Sequence, residues 1–385
     1  MTIALAVVGL IVIVALIFML PRSGRRPDAR PSSPSSSART PPDRRQALPE
    51  APISRAPAGG ASPAAPAAVP AALSGFRLLT ENDLAPDQKA VLLTALRAIA
   101  KPPRSMNTVL SPDFMDGERT NELVEFIMRE PIVAAKVLAT VNSPFYGLQS
   151  PIGSVGHAVT FLGLNTVRNV AVQMLAKESF KTDNPALQKV CDGIWNAGMI
   201  ASELCFRLAQ KLGMPDQGTL STQTLLSFFG DFAILLVLPA QSSTHNWQAG
   251  LLARTEAEQR ETGVNSSIVG SLLMQEWGLP PGIVEGVGEV ASVLVTPPGA
   301  QSPQRAARLA LRYASARIGE SVAFGGLRDL DEFDFRTDTS PEYYFLSQYF
   351  ALPDLARFHE HLRTPEMRGV VRKLVAKLPE SGSEH

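Results

Sequence analysis

The strongest constraint on the fold lies between Arg129 and Gln173, where two helix-period runs flank a turn that neither can extend through. In the first run Ile132, Ala135, Leu138, Ala139 and Asn142 recur at helical spacing, and the run stops at Ser143-Pro144. Pro144 has no N–H with which to continue a helix, and Gly147 suits a turn of positive φ. Phe145-Tyr146-Gly147 therefore reads as a sharp aromatic turn. A second helix starts near Ser154 and carries Val155, Ala158, Val159 and Leu162 on one face.

The remainder of the chain beyond Phe76 also reads as helix, with few strand signals and no internal repeat. Pro86-Asp87 opens a helix that Pro102-Pro103 stops. Helices are expected at Thr120–Arg129 and Asp192–Leu212, the latter ended by Gly213. Thr222–Leu238 is apolar all round, which marks a central buried helix ended by Pro239. Ala249–Thr262, Ser266–Trp277 and Pro281–Leu294 follow, separated by short Gly- or Pro-bearing connections. After a break at Pro297-Pro298-Gly299 come Gln304–Ser321, Pro341–Ala351, Leu355–Leu362 and Pro365–Leu378. Ser340-Pro341 and Thr364-Pro365 have the form of an N-cap followed by an N1 proline.

The N-terminus is of another kind. Ile3 to Leu20 carries no charge and no proline, and about 18 residues at a rise of ~1.5 Å give roughly 27 Å, near the thickness of a bilayer core. Met19-Leu20-Pro21 is a poor cleavage site and no basic residue precedes the run, so residues 1–20 read as an uncleaved anchor rather than a signal peptide. Arg22, Arg25, Arg26 and Arg30 follow closely. The positive-inside rule then leaves a single-pass protein of the inner membrane with its body in the cytoplasm.

Residues 21–75 are rich in Pro, Ala, Ser and Arg without an apolar face, as in a disordered linker. As a coil it would hold the body ~40 Å from the membrane. The whole chain is neutral, with 36 basic and 36 acidic side chains, but the linker holds eight Arg against three acids. The body, residues 76–385, is left with 28 basic and 33 acidic groups, which gives no electrostatic footprint for nucleic acid. Cys191 and Cys205 sit at no metal-like spacing and read as buried thiols in a reducing compartment.

Several features together resemble the HDOD domain, an output-module relative of the HD and HD-GYP phosphohydrolases. They are Glu130-Pro131 before the first helix, Asn142-Ser143-Pro144-Phe145-Tyr146-Gly147, Phe161-Leu162-Gly163-Leu164, and Val167-Arg168-Asn169. The resemblance implies an all-α, HD-superfamily-like helical bundle behind the transmembrane helix and the linker. Its core spans about residues 100–295 of a domain placed at 76–300, with a C-terminal helical extension at 301–385.

The parent superfamily activates water with His and Asp ligands around metal ions. Thr224-Leu225-Leu226-Ser227-Phe228-Phe229-Gly230 resembles its Gly-Leu-Leu-His-Asp-Ile-Gly segment, with Ser227 in the His position and Phe228 in the Asp position. Trp195-Asn196-Ala197-Gly198 places Ala197 where an earlier His stands, and Gly263 to Gly270 places Ser266 in another His position. Near Val290-Ala291 the paired histidines of active relatives are also missing, and none of the five histidines has an adjacent Asp. The resemblance therefore implies no metal, no cofactor and no catalytic residue.

Other constellations carry less. His359-Glu360-His361 reads as a solvated helix surface, since residues two apart do not share a helix face. Asp231 and Glu203 read as isolated acids, and Gly286 to Ala291 lacks the strand that a dinucleotide loop needs. The expected function is that of a bacterial-type signalling protein without catalysis, which binds an unidentified cytoplasmic signalling protein. The alternative is a divergent metal-dependent phosphohydrolase acting on (cyclic) nucleotides, and a purely structural membrane tether is a third class. Asn142, Ser143, Phe145, Tyr146 and Gly147 are the candidate partner-binding residues; the competing role for them is to cap a helix and plug a contact between helix pairs.

Overall fold

A computed structural model describes residues 68–115, 120–143, 146, 148–237 and 246–375. The expected anchor and most of the linker lie outside the described residues, as do Phe145 and Gly147. In chain order the α-helices are α1 Ala71–Ser74, α2 Pro86–Leu96, α3 Ser105–Val109, α4 Pro112–Met115, α5 Thr120–Arg129 and α6 Pro131–Val141. They continue with α7 Val155–Leu162, α8 Leu164–Lys177, α9 Pro185–Lys211, α10 Gln217–Leu226, α11 Phe229–Val237 and α12 Gly250–Thr262. The series ends with α13 Ser266–Glu276, α14 Pro281–Gly288, α15 Pro303–Ala323, α16 Tyr344–Tyr349, α17 Phe358–Leu362 and α18 Pro365–Val375. Among the described residues there is no strand, and the fold is all-α.

Helix α9, 27 residues long, is the spine. Asn184 starts it by accepting N–H groups of Ala186 and Leu187 at 3.0 and 3.4 Å, and Pro185 fills the first position, where no N–H partner is needed. The helix thus begins seven residues before the expected start at Asp192. The N-terminal half of α9 buries Ile194, Trp195 and Ala197 in a first core made with α2 to α14, whereas Ile200, Leu204, Cys205 and Leu208 enter a second core. That second core is completed by α15 and by α16 to α18. Helix α15 lies against α9 so closely that a Cβ on Gly319 would fall 2.6 Å from the Ala197 carbonyl oxygen.

The first core is aromatic at its centre. Phe180 stacks on Phe232 at 4.8 Å between ring centroids, and Trp195, Phe229 and Trp277 close around them. Gln217–Val237 has the length and apolarity to cross a membrane, but 78% of that stretch is buried inside the body. It serves as a core element there. It is two helices rather than the single one expected at Thr222–Leu238. The Ser227 hydroxyl donates to the Thr224 carbonyl at 2.7 Å, and the Phe228 N–H turns back to Leu225 at 3.4 Å, which tightens the chain into a local turn.

Past that turn α11 crosses α13 backbone to backbone. A Cβ on Gly230 would lie 1.8 Å from the Ser266 carbonyl oxygen. Gly230→Ala should therefore force the two helices apart and cost about 1–3 kcal/mol, seen as a lower denaturation midpoint at unchanged m-value. An unchanged midpoint would contradict this contact.

In the last part of the chain Ser302 caps α15, and the Thr364 hydroxyl accepts the Met367 N–H at 3.5 Å. Ser340 makes no side-chain cap. The expected helix at Pro341–Ala351 is a 3₁₀ turn, Pro341–Tyr343, followed by the short α16.

Candidate functional site

The four positions where metal ligands would stand converge on the junction of α9, α11 and α13. Ala197 is fully buried under α15. Phe228 is 2% exposed, and its ring lies 3.5 Å from where a Cβ on Gly198 would be. Ser227 spends its hydroxyl on its own helix. Ser266 donates its backbone N–H to Glu258 Oε2 at 2.8 Å. An alanine, a phenylalanine and two serines do not form the imidazole and carboxylate set that a catalytic transition metal needs, so the resident metal of the parent superfamily does not fit here.

Beside this junction lies a charge cluster that the sequence reading missed. Arg254, on α12 and 1% exposed, reaches Glu320 of α15 through two parallel hydrogen bonds of 2.8 and 2.9 Å. Its Nε faces Asp231 Oδ1 at 3.9 Å and Glu258 Oε1 at 4.0 Å. Arg317 joins from α15, 2.6 Å from Glu320 Oε2, and the Arg254 guanidinium lies 4.0 Å from the centre of the Trp247 ring. Asp231 is thus not the isolated acid expected. The other acid of that pair, Glu203, binds Arg207 at 2.6 Å and Thr166 at 3.0 Å.

The protonation of the cluster follows from its charge balance. Two guanidinium groups face three carboxylates, all of them buried. Burial would raise Glu320, yet Arg254 and Arg317 outweigh it and hold its pKa below the usual value. Burial pushes Glu258 up to about 8, with the charge of Asp231 adding to the effect, and pushes Asp231 up to about 6. A proton kept between Asp231 and Glu258 brings the cluster to neutrality.

A carboxyl whose folded pKa is raised binds its proton more tightly in the folded state, so its contribution to stability is full below the unfolded value of 4.5 and is lost as pH rises towards about 8. Stability should accordingly fall between about pH 4.5 and 8, by at most about 1.4 kcal/mol per pH unit for one proton. Glu258→Gln keeps an acceptor for Ser266 and should flatten that slope in pH-dependent melting. An equal slope in the variant would rule this assignment out.

The motif residues of the opening stretch hold the fold. Asn142, at the end of α6, donates to the Leu138 and Ile152 carbonyls at 2.9 and 2.8 Å and accepts the Ile152 N–H at 2.7 Å. It clamps both ends of the turn. Arg168 is fully buried and donates to the Phe114 carbonyl at 2.8 Å. Asn169 bonds Ser221 and Thr222 of α10, each at 2.8 Å, and Ser221 in turn bonds the Ser202 carbonyl of α9. Tyr146 is half-buried, with its hydroxyl oxygen inside, and burial together with Glu203 raises its pKa well above the usual value. Ser143 is half-buried at the same turn.

His359 and His361 are 6% and 9% exposed, against the expected solvated surface. Helix α17 is a five-residue segment packed against Phe350, Asp334 and α18, so both histidines are covered while Glu360 between them stays exposed. Burial lowers the His359 pKa to about 4. Among the described residues no group of three or more His, Cys, Asp and Glu is placed to hold a metal ion. Cys191 and Cys205 are free, buried thiols whose pKa burial raises to about 11.

Comparison with known proteins agrees with this architecture. The family model described as HDOD domain matches residues 101–292. A protein of Shewanella amazonensis SB2B, provisionally called a phosphohydrolase, is 20% identical, with 75% of this chain and 98% of that one aligned at a TM-score of 0.50. An HDOD domain protein of unknown function from Geobacter sulfurreducens is 18% identical over 74% of this chain and 98% of its own, at a TM-score of 0.49. A provisionally named signal transduction protein from Marinobacter aquaeolei VT8 is 19% identical over 80% and 64% of the two chains, at a TM-score of 0.46. No curated protein matches the chain. At 20% identity the first of these likenesses speaks for the fold alone, and the other two, below a TM-score of 0.5, carry no argument. The matched span, with its helix order, its turn-clamping Asn142 and its buried Arg168 and Asn169, makes residues 101–292 an HDOD domain and the chain a member of that family.

Proposed function

We propose that this chain is a membrane-tethered regulatory protein without catalysis of its own, acting by binding another signalling protein through its HDOD body. The observation that carries this reading is the buried Phe228 ring, which with Ala197, Ser227 and Ser266 occupies the ligand-type positions. A phenyl ring and a methyl group cannot ligate the metal that would activate water there. The partner is proposed to dock at the outer side of the turn from Asn142 to Ile152, where Asn142, Gln149 and Ser150 are exposed and Asn142 fixes the backbone. The membrane tether is proposed from Ile3 to Leu20 and the arginines behind it.

One feature favours the rival phosphohydrolase: Asp231, Glu258 and Glu320 gather near the same junction. Their shared partner is Arg254, whose positive charge stands among them and would repel a divalent cation. A single preparation tests both readings. The full chain should fractionate with membranes, carry no stoichiometric Fe, Mn or Zn, and hydrolyse neither cyclic dinucleotides nor nucleotide phosphates. One tightly bound transition metal per chain with measurable hydrolysis would replace our reading by its rival.

A further inference from the structure

On the far side of Arg254 from the metal-type positions, a half-open cleft of about 700 Å³ lies between the start of α12, the end of α15 and the loop before α16. Its wall includes Trp247, stacked on Phe324 at 4.6 Å between nearly parallel rings. Glu256 and Asp338 line it as well, and neither has a Lys or Arg partner among the described residues, whereas the third acid, Glu342, accepts the Leu251 N–H and faces Arg317.

A second observation is independent of the acids. Arg317 lines the cleft, is 7% exposed, and keeps its Nε–H without an acceptor; the Trp247 indole N–H is also buried without one. An occupant suited to this place brings cations for the carboxylates and carbonyl oxygens for the orphaned N–H groups. A simple amine supplies only the first. A basic peptide supplies both.

The chain itself leads to the cleft. Ala72 is part of the lining, and the segment behind it is pinned on α12, where Gln259 accepts the Leu79 N–H at 2.8 Å and donates to the Arg77 carbonyl at 2.9 Å. The residues preceding Ala72 therefore approach the body at the cleft mouth. They carry Arg39, Arg44, Arg45 and Arg55, in a linker of eight Arg and three acids, against a body with more acids than bases.

We propose that this cleft is the docking site of the chain's own arginine-bearing segment, residues 39–55, so that the linker folds back onto the body. Arg55 is 17 residues from Ala72 in the sequence. As a coil such a length spans about 20–25 Å, which places the arginines near the cleft at an effective concentration on the order of millimolar. The assignment goes beyond the regulatory reading above and does not depend on it.

The test uses the detergent-solubilised full chain and a fluorescein-labelled synthetic peptide of residues 36–58, followed by anisotropy at low salt. A variant with Arg39, Arg44, Arg45 and Arg55 each changed to Gln frees the cleft while leaving Arg22 to Arg30 in place. It should bind the peptide about 10-fold or more tighter than the unchanged chain, whose own segment competes. Adding Glu256→Gln and Asp338→Asn to that variant should weaken the peptide about 10-fold or more without moving the melting temperature. Both side chains are exposed, and Asn keeps the acceptor that Asp338 offers to Ser340. Equal binding by the unchanged chain and the four-Gln variant would show that the own segment is not the occupant. Binding that ignores the two acids, or no binding by the four-Gln variant, would overturn the cleft as the site.

Discussion

Arg254→Leu should destabilise the body by about 3–5 kcal/mol, one of the two largest effects expected in this chain. The cause lies less in the lost bonds than in what stays behind. Glu320 would keep only Arg317, and Asp231 and Glu258 would face each other with no cation between them, all in a buried place. The Trp247 ring would also lose the guanidinium packed on it. Two-state denaturation of the unchanged and variant chains measures the loss. Removing the carboxylates together with the arginine should restore part of it, because a fully apolar replacement leaves no charge unpaired. A loss below about 1 kcal/mol for Arg254→Leu would mean that the cluster is hydrated and that its charge balance does not matter.

Phe228→Ala should cost about 3–5 kcal/mol. The ring is almost wholly buried at the junction of α9 and α11 and belongs to the first core, so its removal leaves a cavity that the close-set backbones of α11 and α13 cannot collapse to fill. Phe228→Leu, which retains most of the volume, should cost less than half as much. If alanine were tolerated within about 1 kcal/mol, Phe228 would not be core, and the space it occupies would be open to a ligand.

The two sites differed in how much the sequence revealed, and the reason is physical. Prolines, glycines and caps act over three or four residues, so the ends of α2, α6 and α9 can be read locally, as can the degenerate Ser227-Phe228 pair. The Asn184-Pro185 start of α9 carried the same kind of signal and was overlooked. Arg254 and Glu320, by contrast, are 66 residues apart and meet only in the folded body, one from α12 and the other from α15. No spacing rule reports such a pair, and a lone Arg among polar neighbours looks solvated. His359 and His361 were misread for the opposite reason. The rule about helix faces would still expose Glu360, as observed, but in the five-residue α17 the residues on either side of it, His359 and His361, are both packed into the body.

Helix α9 has a consequence for where this protein can be cut. At ~1.5 Å per residue its 27 residues make a rod of about 40 Å whose two halves belong to different cores. The family segment ends at residue 292, yet Ile200, Leu204 and Leu208, well inside it, share a core supplied mostly by residues that come later, from Ala306 to Val371. A chain ended at the family boundary would present a bare apolar stripe along half the rod and would aggregate or search for a substitute cover. The unit that must persist together through folding, turnover and inheritance is therefore longer than the motif that names it, and loosening the C-terminal helices would loosen the rod that also bears Trp195.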